Sequence, residues 1–195
     1  MRTTGRVIVL LAGLALYGMA IGLMIRSELG ASPWDVLAQG VSRRVGLSFG
    51  VAVILVSVAV LVCWIPLRVR PGWGTLANAV LVGLFADATL GVVAPTGQWL
   101  QRTGMLVGGV VLIALATAVY LRPGLGPGPR DGLFTGLVRR TGLPVWVVRG
   151  GLEITVLIVG WLLGGTVGIG TVVFAAVVGP LVHVFLRWLR VDVRH

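Results

Sequence analysis

The chain matches itself when it is shifted by 96 positions, and this repeat limits the folds that it can adopt. Arg26 to Leu47 aligns without a gap to Arg122 to Leu143, and the shared positions include a proline, an aspartate and an Arg-Arg pair. A repeat of fixed period indicates an architecture built from like units. We therefore predict a single domain of residues 1–195 with two like halves, residues 5–94 and 101–190.

The composition places this domain in a bilayer. Hydrophobic residues make up 57% of the chain and charged residues only 11%, whereas a soluble domain has about 25% charged residues. A helix of about twenty apolar residues is long enough to span a membrane. The runs of this length are Val7 to Ile25, Phe49 to Leu67, Trp73 to Ala94, Met105 to Leu121, Val145 to Leu163 and Val167 to Leu189. The sequence predicts an all-α polytopic membrane protein with six transmembrane helices.

Three spans in each half is an odd number, so the second half must enter the membrane from the opposite side. We therefore predict two inverted three-helix repeats, each with a short helix after its first span. Both termini then share a side, which carries twelve arginines against four on the other side. The twelve are Arg2, Arg6, Arg68, Arg70, Arg122, Arg130, Arg139, Arg140, Arg149, Arg187, Arg190 and Arg194, and the four are Arg26, Arg43, Arg44 and Arg102. The positive-inside rule predicts that both termini are cytoplasmic.

The repeated motif is a glycine-rich loop that leads into a short helix. Ser32 can cap the helix, Pro33 suits its first position, and Asp35 can bind free backbone N–H groups in its first turn. The corresponding residues of the second copy are Gly128, Pro129 and Asp131. Each helix has about thirteen residues, which is too short to span the membrane. It must lie at the interface or enter the membrane as a re-entrant segment.

Two interpretations of the motif stay open. In the first, the short helices are interfacial, and the pairs Arg43-Arg44 and Arg139-Arg140 at their ends bind lipid phosphates. In the second, each helix start is half of a substrate site, because broken helices near a repeat interface hold ligands in many transporters. Because the arginines lie between apolar runs, we expect the lipid bilayer as their partner and no nucleic acid.

Ionisable residues inside the predicted spans are candidates for a substrate or proton pathway, because each is costly to insert into a membrane. Asp87, Glu153 and His183 are such residues, and Asp87 and His183 are 96 positions apart. We predict that Glu153 carries a proton between the other two, with Arg149 beside it. The alternative is structural: Arg149 neutralises Glu153 across one helical turn, and Asp87 and His183 lie near headgroups.

Three stretches carry a resemblance to a known family. They are Leu29 to Leu37 (L-G-A-S-P-W-D-V-L), Gly124 to Leu133 (G-L-G-P-G-P-R-D-G-L) and Gly160 to Thr171 (G-W-L-L-G-G-T-V-G-I-G-T). With these motifs the chain resembles the YczE/YyaS/YitT-type family of small bacterial integral membrane proteins. The resemblance implies a multi-pass protein of the bacterial inner membrane. It supplies neither a substrate nor catalytic residues.

The function predicted from these features is that of a small secondary transporter, proton-coupled through the buried acids, for an unidentified small molecule. The alternatives are a non-transporting membrane partner or assembly factor of another complex, or a lipid-binding protein, and either form could be a homo-oligomer. We do not expect an enzyme, because the sequence offers no nucleophile–base pair. We expect no cofactor and no metal site.

Overall fold

The computed structural model describes residues 3–191, and these form eight α-helices. They are α1 Thr3–Ser27, α2 Pro33–Val45, α3 Phe49–Leu67, α4 Trp73–Val92, α5 Trp99–Leu121, α6 Pro129–Thr141, α7 Val145–Leu162 and α8 Ile169–Trp188. Arg2 and Arg194, which enter the predicted arginine bias, and the outermost ends of the domain of residues 1–195 lie outside the described residues.

Six of the helices, α1, α3, α4, α5, α7 and α8, are long and apolar enough to cross a membrane. This confirms the predicted all-α fold with six spans and a short helix after the first span of each half; the inverted relation of the halves stays a prediction. The start of α5 differs most from its predicted position, since the helix begins at Trp99 rather than Met105. In this first part of α5, Arg102 has partners, since it binds the carbonyl of Ser27 and the carboxylate of Glu28.

The first spans of the two halves, α1 and α5, form the centre of the molecule. The two helices are antiparallel, and Arg6 near the start of α1 donates to the carbonyl of Pro123 just after α5. They approach closely at Gly13, where an added Cβ would lie 2.7 Å from the backbone nitrogen of Tyr120. Only a residue without a side chain permits this contact. We call the side where α1 begins and α5 ends the N-terminal face.

Each half is completed by contacts with the other half. The loop before α2 holds the start of α8, because Gly170 donates to the carbonyl of Leu29 at 2.7 Å. At the equivalent place, 96 positions away in each partner, Gly74 donates to the carbonyl of Leu125 at 2.9 Å. The short helices also cross between halves, since α2 packs on α7 and α6 packs on α3. The two halves therefore form one body.

The short helices cross the spans at two equivalent places, and the large and the small residue are exchanged between these two crossings. In one crossing Trp64 of α3 lies against Gly132 of α6, and an added Cβ at Gly132 would be 2.0 Å from the indole ring. In the other, Gly160 of α7 lies against Val36 and Leu37 of α2. Trp64 and Gly160 are equivalent by the 96-residue shift, as are Val36 and Gly132. The large side chain is thus on the span in one crossing and on the short helix in the other.

The halves differ most in how their second and third spans meet. In the first half α3 packs along α4, and Gly50 and Gly83 bring the two backbones together, since an added Cβ at Gly83 would be 2.4 Å from the carbonyl oxygen of Gly50. In the second half the equivalent spans α7 and α8 make almost no contact over their described residues. Gly179, the counterpart of Gly83, has open space where a Cβ would be. The first pair of spans is closed and the second pair is open.

Candidate functional site

The starts of the two short helices meet in the interior of the molecule. Ser32 caps α2 as predicted, accepting from the backbone N–H of Asp35, and Gly128 occupies the same position before Pro129 in α6. Ser32 and Asp35 are buried, whereas the far ends of both helices are exposed. The helices therefore enter the molecule from opposite faces as re-entrant segments, and this selects between the two placements that the sequence left open.

The exposed ends of α2 and α6 are fixed through the first arginine of each pair. Arg43 donates to the carbonyl of Gly164 in the loop after α7, and Arg139 donates to the carbonyl of Leu67 at the end of α3 at 3.2 Å. Arg44 and Arg140 are exposed beside them. Such side chains are positioned to contact lipid headgroups, and their binding of lipid stays a prediction.

An ion pair joins the two helix starts. Asp35 is only 1% exposed, and its Oδ1 accepts a hydrogen bond from Arg130 at 3.0 Å. The Arg130 guanidinium lies 5.4 Å from the centre of the Trp34 ring, and Trp34 packs edge-on against Phe134 at 6.3 Å. A buried carboxylate needs such a partner, because an isolated charge in this environment would be very costly. Arg130 therefore holds α2 and α6 together.

The second aspartate of the motif has a different environment. Asp131 is partly buried and accepts from the hydroxyl of Tyr120 at 3.2 Å. Burial raises the pKa of Asp131 above its ordinary value, an effect that the positive charge of Arg149, the Tyr120 hydrogen bond and Arg130 partly oppose. The protonated form is thus favoured more at Asp131 than in water.

Trp34, Tyr120, Arg130, Asp131 and Phe134 line a central cavity of about 80 Å³, whereas Asp35 is not among its lining residues. Both members of six pairs that are 96 positions apart contribute to its wall: Ser32 and Gly128, Pro33 and Pro129, Trp34 and Arg130, Val53 and Arg149, Ser57 and Glu153, and Asn78 and Phe174. A cavity built from equivalent positions of both halves lies where the two repeats meet. Repeat interfaces of this kind hold the ligands of many secondary transporters.

The charges of the cavity come mainly from the second half. Arg130 stands where the first half has Trp34, and Glu153 stands where it has Ser57. Glu153 accepts from the Nε of Arg149 at 3.0 Å, one turn earlier on α7. The Arg149 guanidinium also lies 5.3 Å from the ring centre of Phe134. The repeat gives the cavity its shape, and the differences between the copies give it its chemistry.

The structure brings together only part of the predicted proton pathway. Arg149 and Glu153 form their pair at the cavity. Asp87 instead binds the start of α3, where it accepts from the hydroxyl of Ser48 and the backbone N–H of Gly50. His183 is exposed on α8. Among the described residues no hydrogen bond or ion pair connects Glu153 to Asp87 or His183, so transfer between the three stays a prediction.

A wider cleft adjoins the cavity on the side of the N-terminal face. It has a volume of about 370 Å³, and it shares Tyr17, Tyr120, Asp131 and Arg149 with the cavity wall. Its other lining residues are mostly apolar side chains of α5, α7 and α8: Ile113, Leu121, Val145, Val178 and Val182. The cleft passes between the separated helices α7 and α8. The cavity and the cleft therefore adjoin at the residues that they share.

Sequence reasoning missed three residues of this site: Trp34, Tyr120 and Arg130. Arg130 entered the prediction only as one of the twelve arginines on the side of the termini, although it lies in the cavity. Arg149 was counted on that side too, although it also lies in the cavity. A signal was present, because Trp34 and Arg130 occupy the same repeat position with unlike side chains. Over residues 3–191 no three side chains of His, Cys, Asp or Glu come together as a metal site.

Comparison with known proteins places the chain in a family. A family of unknown function, DUF6198, matches residues 4–187. The chain belongs to this family. An uncharacterized protein of Haemophilus influenzae is 42% identical over 179 residues, which cover 92% of this chain and 82% of that protein.

Two Bacillus subtilis proteins are also similar over most of their length. The uncharacterized membrane protein YczE is 34% identical, with 88% of this chain and 81% of YczE covered. The uncharacterized protein YyaS is 33% identical, with 89% of each chain covered. These relatives confirm the resemblance to YczE and YyaS and a multi-pass membrane protein of a family of unknown function. No solved structure matches.

Proposed function

We propose that this protein is a small secondary transporter that works by alternating access. The observation that carries the proposal is the asymmetry around the central cavity: α3 and α4 are closed, and the equivalent α7 and α8 are open. In inverted-repeat transporters the two halves exchange such arrangements, which exposes a fixed site to one face and then to the other. The cavity open to the N-terminal face represents one of these two states.

The closed side has the features of a gate. Gly50 and Gly83 are in backbone contact, and the bonds from Asp87 to Ser48 and to the N–H of Gly50 fix the start of α3 to α4. In the alternate state α7 would close on α8 around Gly179, and the bonds of Asp87 would break. His183, the counterpart of Asp87, would then approach the start of α7.

Coupling to protons is the second part of the proposal. Glu153 and Asp131 are the carboxyl groups of the cavity that lie beside the open cleft, and Asp131 also lines the cleft itself. The pairing of Glu153 with Arg149 at 3.0 Å would weaken when a proton or a substrate binds. A change in protonation can therefore be linked to the movement of α7.

For orientation we propose that the N-terminal face is cytoplasmic in the bacterial inner membrane. Arg6, Arg68, Arg70 and Arg122 near this face support the assignment through the positive-inside rule. Reporter fusions after Arg6 and at the C-terminus should both report cytoplasm. A periplasmic signal from either fusion would contradict the orientation and the inverted topology together.

Alternating access can be tested without knowledge of the substrate. The variant Ser57→Cys, in a background in which the single cysteine is removed by Cys63→Ala, places a thiol in the cavity wall. An impermeant thiol reagent should modify residue 57 from both faces of oriented membrane vesicles. Modification from the N-terminal face alone would show a static cavity and overturn the proposal.

A disulfide that holds the closed pair of spans together makes the test more specific. Ser48→Cys and Asp87→Cys replace two side chains that are in hydrogen-bond contact, so an oxidised pair should hold α3 against α4. Modification of residue 57, read by mass spectrometry, should then continue from the N-terminal face and stop from the other face. Reduction should restore it.

The second candidate function is a non-transporting membrane partner or assembly factor, or a lipid-binding protein, in monomeric or homo-oligomeric form. The exposed Arg44 and Arg140 favour it. This function requires no change of access, so labelling from one face together with co-purification of lipid or a second protein would support it. We propose no catalytic activity for either form.

A further inference from the structure

We propose that the ligand of the central cavity is a small monocarboxylate anion, whose carboxylate binds between Trp34, Arg130 and Arg149. The inference rests on the proposed transport function and names its substrate class.

One buried polar group of the cavity wall that lacks a partner is a donor. Trp34 is 5% exposed and lines the cavity, and its buried indole N–H finds no acceptor among the described residues. An unsatisfied buried donor costs free energy, and most such groups in folded proteins have partners. By contrast, the indole N–H of Trp64 nearby donates to the carbonyl of Pro129 at 3.0 Å. The N–H of Trp34 is therefore a buried donor without an acceptor at the cavity wall, and a ligand can bind it only when the wall moves.

The two arginines supply further donors. A guanidinium has five N–H groups in a fixed fork. Arg130 uses one of its terminal nitrogens on Asp35, and Arg149 uses its Nε on Glu153. The remaining N–H groups of each fork are arranged in a plane that matches a carboxylate in two-point contact. The N-terminal ends of α2 and α6 add positive potential from their backbone N–H groups.

The two carboxyl groups of the cavity wall, Asp131 and Glu153, and the adjacent Asp35 already have donors. Asp35 is bound by Ser32 and Arg130, Asp131 by Tyr120, and Glu153 by Arg149. A cationic ligand would have to compete with these partners. An anionic ligand finds groups that are ready to bind it.

The volume limits the size of the ligand. A cavity of about 80 Å³ corresponds to two or three waters at about 30 Å³ each. This suits a carboxylate group with a short apolar portion that faces the apolar side chains of the cleft. A large or highly charged ligand does not fit this state of the cavity.

Charge balance then links the anion to protons. The two positive charges of Arg130 and Arg149 face the three carboxyl groups of Asp35, Asp131 and Glu153, so an added anion increases an excess of negative charge, and protonation of one carboxyl group offsets the charge that the anion adds. Asp131 is suited to accept the proton because burial already raises its pKa. The titratable or charged groups around it are Tyr17 of α1, Asp35 of α2, Tyr120 of α5, Arg130 of α6, and Arg149 and Glu153 of α7. Binding of a carboxylate should therefore strengthen as pH falls toward the range where Asp131 is protonated.

Calorimetric titration of the purified protein in detergent tests the ligand class. Formate, acetate, propionate and butyrate are each compared with the uncharged amide of the same length. We expect at least one carboxylate to bind at least tenfold more tightly than its amide. Equal binding of acid and amide throughout the series, or binding of nitrate in preference to every carboxylate, would overturn the proposal.

Variants locate the site. Trp34→Phe keeps an aromatic ring and removes the N–H, and it should weaken carboxylate binding about tenfold, a factor that equals about 1.4 kcal/mol. Trp73→Phe is the matched control, because Trp73 is 81% exposed and does not line the cavity. Arg149→Gln, at an exposed position, should also weaken binding, and the double variant Arg130→Gln/Asp35→Asn removes both charges of the buried pair. Unchanged affinity in Trp34→Phe and Arg149→Gln would contradict the assignment.

The outcome is separable from that of the transport proposal. Modification of Ser57→Cys from both faces needs no ligand and reports only on alternating access. If the protein alternates access but binds amides as tightly as acids, the proposed ligand class is wrong and the proposed function is supported. If the protein binds carboxylates at Trp34 but residue 57 is labelled from one face only, the proposed ligand class is supported and the proposed function is wrong.

Discussion

Two equivalent glycines should respond oppositely to the same substitution, because one lies in the closed pair of spans and the other in the open pair. Gly83→Ala places a methyl group 2.4 Å from the carbonyl oxygen of Gly50 and 2.8 Å from Ile54. Since a backbone atom cannot move aside as a flexible side chain can, α3 must shift away from α4. Gly179→Ala places the same methyl group in open space.

The magnitudes follow from two opposing effects. Alanine is favoured over glycine inside a helix by about 1 kcal/mol, and forcing an extra methyl group into a tight contact costs about 1–3 kcal/mol. Gly83→Ala should therefore lower the free energy of unfolding by up to about 2 kcal/mol, and Gly179→Ala should raise it by up to about 1 kcal/mol. For a chain of this size each kcal/mol shifts Tm by about 2–4 °C.

Tryptophan fluorescence during heating of the purified variants measures this difference. We expect the Tm of Gly83→Ala to fall below wild type and that of Gly179→Ala to equal or exceed it. The same Gly179→Ala substitution should block the alternate state, in which α7 closes on α8, so labelling of Ser57→Cys from the face opposite the N-terminal face should be lost. Equal destabilisation by both substitutions would refute the assignment of a closed and an open pair.

The remaining predictions concern the ionisable groups. Glu153→Gln removes the charge that pairs with Arg149, so it should fold normally and change the rate of carboxylate uptake into liposomes, whereas an unchanged rate would leave the pair with Arg149 a structural one. Because burial raises the pKa of Asp131, the native state holds its proton more tightly than the unfolded state, and this group destabilises the protein as pH rises from its ordinary value of 3.8 through the raised value. Asp131→Asn should accordingly gain stability over wild type as pH rises through that window and match it at lower pH, as pH-dependent unfolding can show. Asp87→Asn should cost about 1–3 kcal/mol because Ser48 and a backbone N–H lose a charged acceptor, and a Tm equal to that of wild type would argue against the role of this bond in closing α3 on α4.

Local signals in the sequence were sufficient to predict which segments form helices. Apolar runs of about twenty residues set the six spans, and Ser32 and Pro33 marked the start of α2 to the residue. The start of α5 was missed because Arg102 interrupts the apolar run, and its partners, Ser27 and Glu28, lie far away in sequence. Propensity and hydropathy report on neighbours along the chain, so they cannot reveal a polar helix end that is satisfied by a distant residue.

The site was predictable in outline and not in its pairings. The repeat pointed to Asp35 and Asp131, and the buried charges pointed to Glu153. The partner of Asp35 is Arg130, 95 positions away, and no periodic pattern connects the two. Asp87 was predicted as one end of a proton pathway through Glu153, which stays a prediction, and the sequence did not show that its carboxylate binds the start of α3. Contacts of this kind depend on how the halves dock, which becomes visible only in three dimensions.

The exchange of large and small residues between the two crossings determines which halves of the protein can pair with each other. A molecule assembled from two copies of the first half would set Trp64 against Val36, with no glycine to receive the indole. One assembled from two copies of the second half would set Gly160 against Gly132 and leave a void where the ring belongs. Neither half can therefore pair with a second copy of itself. If the chain is cut in the loop between α4 and α5 and the pieces are expressed separately, each should remain incomplete alone, and only the unlike pieces should reassemble into a folded molecule.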